Sequence, residues 1–109
     1  MRHAIYLLIF LAQFGVASAG QTRGGDDRNG FQWAHQVCSE CHAVGAAEPI
    51  SPNPRSPTFS DLATGLTPLA LAVSLAKLHA GMPMFRLSSQ QIDDIIAYMM
   101  TLRGAGEYQ

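Results

Sequence analysis

The sequence predicts an all-α chain of three to four helices that close around something the chain does not supply itself. Three observations carry this. Apolar residues recur at helical spacing in three segments, each with its own start signal. No segment alternates apolar and polar residues as a half-buried strand would. The apolar faces of the helices are modest for a chain of 109 residues, and a small domain with a limited core needs a disulfide, a metal or a cofactor to hold it.

Met1-Arg2-His3 is followed by an apolar run from Ala4 to Val16 and then by Ala17-Ser18-Ala19. A positive start, an apolar centre and small residues at a cleavage site are the three parts of a secretory signal. Residues 1–19 are therefore expected to be removed, which leaves a single domain over residues 20–109. The run is shorter than the roughly 20 apolar residues a bilayer span needs, and Gln13 interrupts it. Stable membrane insertion is not expected once the signal is cleaved; an uncleaved segment would act as an anchor.

After Gly20 the segment 21–29 is rich in Gly, Arg and Asp. A first helix is expected from Asp26 or Asn29 to about Ser39, with Phe31, Ala34, Val37 and Cys38 on one face. Residues 43–57 hold Gly45, Pro49, Pro52, Pro54 and Pro57, which excludes a helix interior or a central strand. A short helix is expected over residues 60–64, capped by Ser60 with Asp61 in its first turn. Thr67-Pro68 suits the start of the next helix, with threonine as the cap and proline in first helical position. That helix is expected to run to Leu78 with Leu69, Ala72, Val73 and Ala76 as its apolar stripe. Gly81 and Pro83 stop it. Ser88, with Gln91 three residues on, reads as a capping box for a last helix. Its apolar face is Ile92, Ile95, Ile96, Met99 and Leu102, with Asp93 and Asp94 off that face near the positive end of the helix dipole. Gly104 ends it.

The whole chain carries 7 basic and 8 acidic side chains, and Lys77 is its single lysine. Nucleic-acid binding, which needs a basic stripe, is not expected. Nor is docking through a dense ring of lysines.

The only two cysteines lie in Cys38-Ser39-Glu40-Cys41-His42. A zinc site would need about four ligands, usually two such pairs, and the second pair is missing. A thioredoxin-like dithiol sits after a strand, and no strand precedes Cys38. The remaining chemistry is covalent haem attachment, whose signature is C-x-x-C-H. Two thiols three residues apart can add to the two vinyl groups on one edge of a porphyrin. The next residue, His42, is then carried under the ring, where its imidazole can ligate iron.

On these residues the chain resembles the small class I c-type cytochromes that carry one haem and work in the bacterial periplasm. The likeness runs in order through Gly30 and Ala34, the Cys38–His42 site, Ser56-Pro57-Thr58-Phe59, His79-Ala80-Gly81-Met82-Pro83, Leu87-Ser88 and Ala97-Tyr98 to Leu102. It implies a cytochrome c-like fold, a helical shell around one covalently bound haem c and its iron. The first and last helices would cross at Gly30, with Tyr98 packed across the junction. The resemblance also implies a methionine as sixth iron ligand opposite His42. Met82, followed by proline and five residues before Leu87-Ser88, matches the spacing; Met84 and His79 are the rivals. Met99 and Met100 are expected to pack in the last helix. His35 is expected to face solvent.

The carbonyl of Pro57 is implied as the acceptor for the second ring nitrogen of His42, with Pro52 and Pro54 as alternatives because the loop is long. Phe59 and Leu69 are candidates to wall the haem, Arg55 to face a propionate or solvent, and Trp33 to pack. The function implied is one-electron transfer by a monomer without catalysis, as a periplasmic carrier serving redox partner proteins. Two other roles remain open: the electron-accepting subunit of a periplasmic dehydrogenase, or a haem with an open sixth position that binds gases or catalyses.

Overall fold

The computed structural model describes residues 24–77, 79, 82 and 86–104. The expected signal segment, Met84 and Pro83 lie outside them. Among the described residues four α-helices follow in order: α1 (Asp27–Trp33), α2 (Phe59–Gly65), α3 (Pro68–Lys77) and α4 (Ser89–Thr101). No strand occurs among the described residues.

The start of α1 is set by Asp26, whose carboxylate accepts from the amides of Arg28 (2.9 Å) and Asn29 (3.1 Å). This satisfies two of the amides that a helix start leaves without partners. The helix then passes directly into a π-helical turn, Ala34–Cys38. No residue in the sequence announces that turn. Such widened turns are frequent at functional sites, and this one ends on Cys38.

The core lies between the helices and consists of Ala34, Cys38, Val44, Phe59, Ala63, Leu71, Ile95, Tyr98, Met99 and Leu102. Helix α4 is its hub, because α1, α2 and α3 all pack on it. Helices α1 and α4 cross in close contact. A Cβ on Gly30 would overlap the backbone carbonyl of Asp94 and lie 2.8 Å from the Cβ of Tyr98. Tyr98 is buried there, with the Phe31 ring edge-on to it at 5.5 Å.

Ser88 caps α4 by accepting from the Gln91 amide (3.2 Å), while the Gln91 side chain accepts from the Ser88 amide (2.8 Å). The reciprocal pair is the capping box. Gly104 takes a φ of 76° after the helix, a conformation that favours glycine. Thr67 caps α3 through the Ala70 amide at 3.2 Å. Arg103 ties the end of α4 to α2: its Nε donates to the Ala63 carbonyl and its Nη2 to that of Leu66, each at 2.8 Å.

Three local expectations need correction. The cap of α2 is Thr58, not Ser60: the Thr58 hydroxyl accepts from the Asp61 amide (3.1 Å) and the helix begins at Phe59. The buried face of α3 is not Leu69, Ala72, Val73 and Ala76. Leu69 is 75% exposed and Val73 45%, while Leu71 is 2% exposed and Leu75 packs against the core. Nearly every position of α3 is apolar, so periodicity does not select a face; packing on α4 does. Asp94 is buried rather than on the polar face of α4. Its Oδ1 accepts from the Asp26 amide and from Gln90 Nε2, both at 2.8 Å. A buried carboxylate needs such donors, and here they pin the start of α1 to α4.

The Pro-rich loop 43–57 is ordered by hydrogen bonds from outside and within. The Ala43 amide donates to Ser51 Oγ (3.0 Å), the Asn53 amide to the Cys41 carbonyl (3.1 Å) and the Phe59 amide to the Ala43 carbonyl (2.9 Å). The Tyr98 hydroxyl reaches from α4 to the Val44 carbonyl at 2.6 Å.

Burial, and secondarily Glu48, raises the Tyr98 phenol above its usual 10.0. The fold thus favours the protonated phenol that donates this bond. The associated stabilisation is complete below the unfolded pKa and is lost as pH rises from there through the higher folded value. Tyr98→Phe is expected to cost about 1–2 kcal/mol at pH 7, because a buried carbonyl loses its donor, and to lack this alkaline loss. Denaturant unfolding of both proteins on either side of pH 10 measures it; equal stability at neutral pH would refute the tether.

Candidate haem-binding site

The π-helical turn delivers Cys38 to the core, and a tight turn follows. The amides of Cys41 and His42 both donate to the Cys38 carbonyl, at 3.2 and 2.9 Å. The chain thereby folds back within five residues and sets Cys38, Cys41 and His42 on one wall of a single cleft. The two cysteines are not joined to each other; Cys38 is buried, and Cys41 and His42 are half-buried.

His42 Nδ1 lies 2.6 Å from the Pro57 carbonyl oxygen. A carbonyl only accepts, so Nδ1 carries the proton and Nε2 keeps its lone pair for a metal. The bond also fixes the orientation of the ring. Pro52 and Pro54 are not the acceptor. Phe59, which is 3% exposed, places its ring 5.7 Å from that of His42, centroid to centroid.

The rest of the lining is mostly apolar: Leu62 from α2, Leu71 and Leu75 from α3, Met99 from α4, with Asn53, Ser56 and Ser74 as polar members. His79 and Met82 also line it. The cleft holds about 760 Å³ of empty space, part of it open to solvent. Leu69 does not line it, because it sits on the outer face of α3. Leu71 and Leu75 occupy the place it was expected to take. No signal in the sequence singles them out, because nearly every position of α3 is apolar. Arg55 is exposed and its backbone amide bonds Asn53 Oδ1 at 3.0 Å. His35 is exposed with Nδ1 at the Phe31 carbonyl.

The chemistry of this wall separates the three readings of the cysteines. Among the described residues no three His, Cys, Asp or Glu side chains group as ligands for a metal ion. Burial, with the neighbouring Cys41 second, pushes the Cys38 thiol up to about 11. A redox dithiol depends on a lowered thiol pKa, and this one is raised. What remains is an apolar cleft with two thiols and one imidazole on a single wall.

Comparison with known families decides between these. Residues 25–99 match the family described as cytochrome c oxidase, cbb3-type, subunit III. The chain belongs to this family of c-type cytochrome domains. It is an all-helical cytochrome c-like fold that binds haem c covalently, with iron. No curated protein and no solved structure matches the chain.

The residues of the cytochrome fit that group. Cys38 and Cys41 would supply the two thiols for the covalent bonds, and His42, held through Nδ1 by the Pro57 carbonyl, would offer Nε2 to iron. Phe59, Leu71, Leu75 and Met99 supply an apolar enclosure. Met82, 52% exposed, stands at the rim. A cytochrome domain of this kind serves haem-based electron transfer through redox partners. Among the described residues no helix is long and apolar enough to cross a membrane.

Proposed function

We propose that this cytochrome is a periplasmic one-electron carrier with His42 and Met82 as its axial iron ligands, exported with loss of residues 1–19 and working as a monomer. The observation that supports it best is that the two thiols, the oriented imidazole and the Met82 thioether all line one apolar cleft. When bound, the haem supplies a ferric/ferrous couple that methionine–histidine ligation raises in potential. The chain's own part is positional. Cys38 and Cys41 tether, Pro57 holds the His42 ring, and Phe59, Leu71 and Met99 keep water from the interior. Met82 marks the open side of the cleft, where a partner approaches most closely. That side offers no lysine ring, so encounter would depend on shape and apolar contact more than on salt-sensitive steering.

The absorption spectrum of the ferric protein, extended into the near infrared, tests the ligand pair. A weak band from methionine sulfur to ferric iron is expected in the wild type and should vanish in Met82→Ala. Absence of the band from the wild type, or its survival in the variant, refutes Met82 as the ligand.

A further inference from the structure

Two imidazoles share the cleft. The His42 and His79 ring centroids are 6.3 Å apart, with the ring planes at 50°. Imidazole nitrogens bind first-row metals at about 2.0–2.1 Å, and two rings ligating one ion from opposite sides have centroids about 6 Å apart. The observed separation is of that size.

His79 and Met82 are also linked. The Met82 amide donates to the His79 carbonyl at 3.0 Å, so both candidate donors ride on one turn after α3. They differ in exposure: the His79 ring is half-buried in the cleft, whereas Met82 is exposed. Imidazole is a good iron ligand in its own right.

We infer that His79 is a reserve axial ligand: when the methionine leaves the iron, the same turn supplies the His79 imidazole, and the sixth position does not stand open. This rests on the reading of His42 and Met82 as the resident pair. The consequence is a cytochrome that answers loss of methionine by moving to a lower-potential, closed state rather than becoming a site for small gases. Ligand exchange alone moves no electron and breaks no covalent bond of the chain.

The test uses the haem-loaded full chain with Met82→Leu and Met84→Leu together, so that neither thioether can ligate. Leucine conserves the volume of methionine and is well tolerated in packed sites. Loss of the sulfur band with retention of a low-spin ferric spectrum, and no carbon monoxide binding by the ferrous form, is expected. Adding His79→Ala should then give a high-spin spectrum and carbon monoxide binding. A leucine variant that is already high-spin and binds carbon monoxide overturns the inference. So does a low-spin spectrum that survives His79→Ala. If the wild type lacks the sulfur band and matches the leucine variant, His79 is the resident ligand; the reserve role then falls, and with it the Met82 reading. Circular dichroism on each variant verifies that it is folded.

Discussion

Cys38→Ala combined with Cys41→Ala is expected to abolish both haem retention and cooperative folding. The reason lies in what the chain can bury unaided. Among the described residues the largest fully buried side chains are Leu71, Ile95, Met99 and Val44. Helices α1 and α2 have 7 residues each and α3 has 10, below the roughly 12–15 at which an isolated helix becomes even marginal in water. They depend on tertiary packing, and part of the surface they should pack on is the apolar cleft itself. Leu71 and Met99 line that cleft as well as the core. Without its occupant, water reaches the inner faces of α3 and α4.

Small domains stay folded by about 5–15 kcal/mol in total, and the loss of a covalent staple together with the apolar contacts around it is of that order. The expected readouts are a denaturing gel without haem-associated peroxidase staining and a thermal circular-dichroism trace without a sigmoidal transition. A haem-free double variant that unfolds cooperatively with native helix content would show that the chain folds on its own. Either single variant should be less severe, because one thioether bond and the His42 wall remain.

Much of the site could be read in the sequence because its chemistry is local. C-x-x-C-H fixes three groups within five residues, and no distant part of the chain is needed to recognise it. Ser88 with Gln91 and Thr67-Pro68 likewise announce helix starts through short-range bonds that the structure contains. The failures share a different cause. Leu71 and Leu75 rather than Leu69 and Val73 face inward because α3 packs on α4, and a helix apolar nearly all round carries no record of that choice. Asp94 reads as a surface carboxylate by residue type; its burial follows from a partner amide 68 positions away. Thr58 displaces Ser60 as the cap of α2 because the chain is already held at Phe59 by the Ala43 carbonyl. The π-helical turn before Cys38 has no compositional mark at all.

Gly30→Ala should destabilise the cytochrome by at least about 2 kcal/mol, although helix propensity alone favours alanine over glycine by about 1 kcal/mol. The sign is decided by what stands in the way. The added methyl would overlap the Asp94 carbonyl, which belongs to the backbone of α4, so no side-chain rotation relieves it. One helix must shift. If α4 moves, it carries Asp94 from the Asp26 amide, Tyr98 from the Val44 carbonyl and Met99 from the cleft. The damage therefore spreads from the crossing to the loop that presents Pro57. Gly65, the last residue of α2, is the internal control: a Cβ there meets nothing within 4 Å, and Gly65→Ala should be neutral or stabilising by up to about 1 kcal/mol. Denaturant unfolding of the two haem-loaded variants against the wild type separates packing from propensity. If Gly30→Ala proves as stable as Gly65→Ala, the crossing is looser than the structure has it, and the positioning of the whole site by α1 against α4 is refuted with it.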